Sequence, residues 1–351
     1  MSDPAITRCW IEPYDLAFAD AWRSARGDAD RRCGQVLWLE DETGRIGVGE
    51  CAPLPMAGTE RPEAALSWLE AAAASLTGCC VEAGLAGFEA SADHPAASCA
   101  LECALLDLLS ARAGRTLRRW LSPDSGDRFR VNASIGALDR DVSRRARSAI
   151  AAGFEVLKIK LATAPPEAER AALAQLVATL PAGVRLRLDA NGGWDERAAR
   201  EWLRVLEGWP IESLEEPLRD PSLASLEQLQ TGCDFPLASD ESLPDLLASG
   251  LPAATGLRRA VLKPAVLGGA RRTLAVAERL KELGIACVVT TTLEAAPGRW
   301  LVAQCAAALD EGLAHGLDTG GWLATDLGEG PPMSDGWCRL PRRPGLGFRR
   351  P

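Results

Sequence analysis

Of the 39 basic residues in this chain only four are lysines, Lys158, Lys160, Lys263 and Lys281, so 35 are arginines. An arginine keeps its proton inside a protein, whereas a lysine can be tuned to release it. A lysine retained against such a bias therefore points to a need for a titratable amine. Three of the four fall in an ordered series of short motifs: KIK (158–160), LDAN (188–191), LEEP (214–217), SDES (239–242) and LKP (262–264). Lys160, Asp189, Glu215, Asp240 and Lys263 follow one another at intervals of 29, 26, 25 and 23 residues. If those residues converge, two amines flank three carboxylates, which repel one another unless a cation lies between them. An all-oxygen donor set favours a hard ion, Mg²⁺ before Mn²⁺, with positions left for substrate. The chemistry such a site serves is abstraction of a proton α to a carboxylate: the ion stabilises the enediolate charge and a lysine acts as base.

Each interval is about one strand plus one helix long. From residue 131 onward strand-like segments alternate with helix-like ones. VNASI (131–135), VLKIKLA (156–162), VRLRLDAN (184–191), IESLEEP (211–217), FPLASDES (235–242), RRAVLKP (258–264), IACVVTTT (285–292) and LAHGLDT (313–319) read as strands. Helical segments such as DERAAREWLRVLEG and GARRTLAVAERLKELG lie between them. Alternation of this kind implies a parallel sheet, and eight units suit a β/α barrel with its site at the C-terminal ends of the strands. All five residues sit at such ends. A lone acid there is often only a helix N-cap; five charged residues in phase with the strand repeat make that explanation the weaker one.

The first 130 residues are organised differently. GQVLWLEDETGRIGVGE (34–50) reads as two strands around an acidic turn, and RPEAALSWLEAAAASLTG and PAASCALECALLDLLSARAG read as two helices. Strands followed by helices suggest an α+β domain. The expected division is an α+β cap over 1–128, a barrel over 129–322, and a Pro/Gly-rich tail, 323–351, that completes the cap.

Composition narrows the setting. The chain has 351 residues, 47% hydrophobic and 25% charged, which is a globular balance and not a disordered one. A net charge of −9 leaves no footprint for nucleic acid. The longest stretch found without a charged residue, 171–184, is broken by Pro181 and too short for a membrane span. No signal peptide is visible at the N-terminus. Eleven cysteines without a C-x-x-C pair read as reduced, mostly buried thiols of a cytoplasmic protein.

The ordered set resembles the enolase superfamily, muconate-cycloisomerase subgroup, and within it looks most like the o-succinylbenzoate synthases of menaquinone biosynthesis. GECAPLP (49–55) and HGLDT (315–319) extend the likeness across nearly the whole chain. The resemblance implies a (β/α)₇β TIM-like barrel under an N-terminal α+β capping domain. It implies Asp189, Glu215 and Asp240 as Mg²⁺ ligands, Lys160 as the acid/base, and Lys263 as the amine on the opposite face. The implied reaction is dehydration of 2-succinyl-6-hydroxy-2,4-cyclohexadiene-1-carboxylate to 2-succinylbenzoate, so the expected partner is a small carboxylate substrate. The alternatives are a racemase or cycloisomerase working at the same site, for example on N-acylamino acids, and a non-catalytic binding barrel. Dipeptide epimerases of the superfamily carry D-x-D after the last strand; here Asp318–Thr319–Gly320 lacks the second acid, which lowers that reading.

Lys158, Asn191, Thr291 and Thr292 are further candidates for substrate contact. The threonines either bond a substrate carboxylate or are satisfied strand residues, and Asn191 either orients the site or begins a turn. Leu54 and Met56 either close over the site or pack cap on barrel. His94 and His315 read as structural, Cys99 and Cys103 as one core face of a helix, and Gly268–Gly269 as a tight turn before a phosphate site. Oligomeric state is not legible.

Overall fold

The structure is a computed structural model that describes residues 3–24, 27–252, 255–309 and 311–350. The N-terminal part opens with a three-stranded antiparallel sheet, β1 (Ile6–Ser24), β2 (Gly27–Asp41) and β3 (Ile46–Cys51), in that spatial order. The turn between β2 and β3 is the expected acidic one. β1 was not expected: Arg8, Glu12 and Pro13 interrupt its alternation between the buried Ile6 and the buried run Tyr14, Leu16 and Phe18. Its outer position in the sheet tolerates the proline. Helices α1 (Pro62–Leu76), α2 (Val81–Ala86), α3 (Pro95–Arg112) and α4 (Leu117–Leu121) follow.

α3 is buried from Pro95 through Ser110, Cys99 and Cys103 included, because it is sandwiched between the sheet and the rest of the molecule. Gly47 and Gly49 on β3 make that approach possible. A Cβ at either would run into the carbonyl oxygens of Ala104 and Ala100.

Next comes strict alternation: β4 (Arg128–Ala137), α5 (Val142–Ala151), β5 (Val156–Lys160), α6 (Pro166–Val177), β6 (Arg185–Asp189), α7 (Glu196–Leu206), β7 (Ile211–Glu215), α8 (Leu223–Gln230), β8 (Leu237–Ser239), α9 (Leu243–Ser249) and β9 (Arg259–Leu262). A short α10 (Pro264–Leu267), α11 (Ala270–Glu282), β10 (Ala286–Val289), α12 (Ala296–Leu309) and β11 (His315–Asp318) complete the unit. Each strand from β4 to β10 pairs in parallel with the next. β11 pairs with β4 and bridges to Thr290 beyond β10, which closes the barrel. Closure distinguishes this from an open doubly wound sheet and brings the C-terminal ends of all the strands around one mouth.

The tail serves both parts. β12 (Met333–Ser334) and β13 (Trp337–Arg339) form a hairpin whose second strand pairs antiparallel with β4 at Arg128–Arg130. Further on, Phe348 packs against Trp38 at 6.5 Å and Arg350 meets Glu12 at 2.8 Å on the N-terminal sheet. No helix among the described residues is long and apolar enough to cross a membrane.

Three buried charges fasten the N-terminal part to the barrel. The Arg32 guanidinium donates to the carbonyls of Ala52 and Pro53 on its own side and to those of Thr292 (3.2 Å) and Leu293 (3.0 Å) on the barrel. Glu50 accepts from Tyr14 Oη at 2.5 Å and from the backbone of Ala295 (2.8 Å) and Gly298 (2.7 Å), the start of α12. A carboxylate there also complements the helix dipole. Glu102 of α3 takes the same position at α11, accepting from Arg271 N at 3.2 Å and Nε at 2.7 Å beside Gly269. With that end occupied, Gly268–Gly269 is a turn and no phosphate cradle.

Candidate active site

Successive side chains of a strand alternate between faces, so Lys158 and Lys160 of β5 both point into the barrel, Lys160 level with Asp189 at the end of β6 and Glu215 at the end of β7, and Lys158 in register with Arg187. Asp240 and Lys263 stand one residue past β8 and β9. All are buried or nearly so, and they meet. Lys160 Nζ lies 2.7 Å from Asp189 Oδ2 and 2.7 Å from Asn191 Oδ1. Lys158 Nζ bridges Asp189 Oδ2 (2.9 Å) and Glu215 Oε1 (2.6 Å). Lys263 Nζ lies 2.6 Å from Asp240 Oδ2 and 3.8 Å from Glu241 Oε1. Asn191, at φ 44°, takes a left-handed turn that returns its N–H to Asp189 Oδ1 at 3.0 Å and its amide nitrogen to Glu241 at 3.0 Å.

The electrostatics of this cluster are uneven. Against the effect of burial, the Lys158 and Lys160 ammonium groups hold Asp189 well below the ordinary carboxylate range. Burial together with the Asp189 and Asp240 carboxylates pushes Glu215 up to about 8. Burial and Glu241 likewise raise Asp240, and they push Glu216 up to about 8. Lys158 and Lys263 are both raised: burial opposes the charged amine, but Asp189 and Glu215 around the first and Asp240 and Glu241 around the second outweigh it.

Among the described residues no three His, Cys, Asp or Glu side chains form a ready cage for a metal. The reason is visible: the lysine ammonium groups lie against the carboxylates from which such a cage would be built. The donor chemistry nevertheless fits a hard divalent ion. Every donor is a carboxylate oxygen, Asp240 Oδ1 is buried with no partner, and burial with the neighbouring carboxylates keeps Glu215 raised even beside the Lys158 ammonium, so a further cation would be favoured there.

Above the cluster is a cavity open to the mouth of the barrel. Lys158, Lys160, Asn191, Asp240 and Lys263 line it, and Leu54 and Met56 from the N-terminal part stand on its wall. Thr291 and Thr292 line it too, but differently. The Thr291 hydroxyl pairs with that of Thr319 at 2.9 Å, while the Thr292 hydroxyl is buried without a partner. His315 lies outside this lining: its Nδ1 accepts from Val289 N at 2.9 Å and its ring meets Phe129 edge-on. His94 stacks on Trp68 and is likewise outside this lining.

Several residues escaped the sequence reading. Glu216 accepts from Asp240 N (2.7 Å) and from Ser242 Oγ (3.0 Å), so the second acid of LEEP positions the SDES loop. The doubled acids in LEEP and SDES were the available signal for it. Asn132, Ser134 and Thr290 also line the cavity, together with Asp318 and Thr319 of the HGLDT motif; for the first three, polar residues facing inward on a barrel strand carry no sequence mark that separates them from others.

A closed barrel whose strand ends present lysines and carboxylates around one cavity defines an enolase-type enzyme fold. Residues 141–349 match the family described as Enolase C-terminal domain-like, and the chain belongs to it. An o-succinylbenzoate synthase of Thermosynechococcus vestitus is 30% identical over 235 residues, 66% of this chain and 67% of that protein. A hydrophobic dipeptide epimerase of a Flavobacteria bacterium is 27% identical over 323 residues, 88% of each chain. The crystal structure of a dipeptide epimerase from Enterococcus faecalis, complexed with Mg and the dipeptide L-Leu-L-Tyr, superposes with a TM-score of 0.85 over 98% of this chain and 99% of that one, at 22% identity. The matched relatives are enzymes of one superfamily that catalyse different reactions.

Proposed function

We propose that this chain is a Mg²⁺-dependent lyase of menaquinone biosynthesis that dehydrates 2-succinyl-6-hydroxy-2,4-cyclohexadiene-1-carboxylate to 2-succinylbenzoate. The observation that carries the proposal is the placement of the two amines. Lys160 ends β5 and Lys263 follows β9, four strands apart in an eight-stranded barrel, so they face each other across the cavity. Asp189, Glu215 and Asp240 would hold the ion, which when bound supplies Lewis-acid stabilisation to the charge that develops on the substrate carboxylate.

Lys160 Nζ takes the proton α to that carboxylate, and the C–H electron pair passes into the enediolate. Its collapse forms the ring double bond and breaks the carbon–oxygen bond on the neighbouring ring carbon. Lys160, now protonated, returns its proton to the departing hydroxyl, and water leaves an aromatic ring. Lys263 contributes a fixed positive charge on the other face. The Asn191 oxygen and Asp189 hold Lys160 Nζ in place for both transfers.

Position 320 supports a substrate without an ammonium group. A Cβ on Gly320 would stand 3.1 Å from Arg299 Nη2, so an acid at this point would face a buried guanidinium and not a ligand. The second reading is racemisation or epimerisation, for example of an N-acylamino acid, and the opposed pair of lysines favours it as well. Assaying the cyclohexadiene and an N-acylamino acid side by side with Mg²⁺ separates them; turnover of the second alone would replace the lyase, and turnover of neither would leave a binding barrel. EDTA should abolish activity and added Mg²⁺, or Mn²⁺ as substitute, should restore it; full activity after exhaustive chelation would refute the metal assignment.

A further inference from the structure

Beneath the lysine–carboxylate cluster the barrel interior holds a second buried group of charges. Arg187 (2% exposed) lies two residues before Asp189 on the same inward face of β6. Its Nε meets Glu212 Oε2 at 3.0 Å, and its Nη1 donates to Asn132 Oδ1 at 3.0 Å. Arg259 pairs with the other oxygen of Glu212, so two guanidinium groups share one carboxylate. Burial and the nearby Arg187 charge lower His315 to about 3, so the imidazole adds no charge at neutral pH. The group therefore carries an excess of positive charge just below the cavity.

Asn132 connects this group to the cavity. It is 1% exposed, and it belongs both to the lining of the cavity and to the hydrogen-bonded chain from Arg187. A guanidinium has only donors, so the amide oxygen of Asn132 must face Arg187. The amide nitrogen is thereby turned the other way, and no acceptor among the described residues takes its two hydrogens.

We infer that Asn132 is a substrate-binding residue, whose amide nitrogen donates to an oxygen of the substrate's carboxylate or carbonyl groups, and that Arg187 is the positioning residue that fixes the amide in that sense. The floor thus selects ligands that present an acceptor oxygen at depth. The inference rests on the proposed use of this cavity for substrate.

Asn132→Asp is the decisive variant because it keeps size and keeps an oxygen towards Arg187, yet replaces the two donors with an acceptor. Loss of a hydrogen bond to a charged ligand predicts a rise in KM of about tenfold to a hundredfold. kcat should change less, and the melting temperature should not fall. Each variant is assayed on whichever substrate the wild type turns over, the cyclohexadiene or the N-acylamino acid, so a failed lyase assignment shows in the wild type and not in the variant. Asn132→Ser, which keeps one shorter donor, should recover part of the affinity. An unchanged KM in Asn132→Asp overturns the inference, as does a loss confined to kcat. A wild type that turns over neither substrate overturns both the inference and the reading on which it rests. If Asn132→Asp does not fold, Asn132→Ser alone decides, with wild-type KM again the overturning result.

Discussion

Two clusters of buried charge lie one above the other in the same barrel, and they are built from different cations. At the mouth, Lys158, Lys160 and Lys263 are set among Asp189, Glu215 and Asp240, and burial with neighbouring carboxylates leaves Glu215 at about 8. Below, Arg187 and Arg259 grip Glu212, and although burial opposes it, their charges hold that carboxyl down at about 2. The lower cluster is charged at every ordinary pH and cannot exchange protons. The upper one can. A chain that uses arginine almost everywhere places three of its four lysines in the upper cluster, where the proposed reaction would call for a titratable amine.

The contrast is best broken at Lys160. Lys160→Ala should remove nearly all turnover, a loss on the order of 10²–10⁴-fold for a positioned base. Lys160→Arg should fail equally, since a guanidinium stays protonated. Lys263→Arg should keep a measurable fraction of dehydration, because a fixed charge still serves there. Steady-state kinetics on variants checked by circular dichroism decide it; equal collapse of both would mean two-base chemistry and would favour the racemase.

Removing one acid from each cluster should have opposite effects on the fold. Glu212→Gln strands two buried guanidinium groups and should cost about 3–5 kcal/mol in urea unfolding. Glu215→Gln removes a carboxylate that its neighbours repel, so the metal-free protein should unfold at the same or higher urea while Mg²⁺ affinity is lost. A large destabilisation by Glu215→Gln would show that both clusters are structural.

The smallest effect is a pH slope from His315, beside the lower cluster. Its folded value of about 3 lies below the ordinary 6.5. Between those values the unfolded chain binds a proton that the folded chain refuses, so stability is complete above pH 6.5 and declines as pH falls towards 3. His315→Gln should flatten that part of the stability profile; an unchanged slope would assign the loss to other groups.

Much of this architecture was legible because it repeats. The alternation of apolar strands with amphipathic helices announced a barrel, and the motif spacing placed Lys160, Asp189, Glu215, Asp240 and Lys263 at the ends of its strands. β1 was not legible, because its place at the sheet edge, paired on one side with β2, is what tolerates Arg8, Glu12 and Pro13 in a strand. Neither were the ties made by Arg32 and Glu50, whose partners lie roughly 240 to 260 residues away.

What the sequence determined by itself is therefore the local pattern and its phase: which residues face inward, and at which end of each strand. Which inward side chains touch was decided only by closure of the barrel. It brought Lys158 onto Glu215 across 57 residues and Arg187 onto Asn132 across 55. The physical reason is that strand periodicity is set by each residue's own backbone geometry. Hydrogen bonds and charge pairs in a barrel interior are instead set by distances across its axis, and no local stretch of chain contains those.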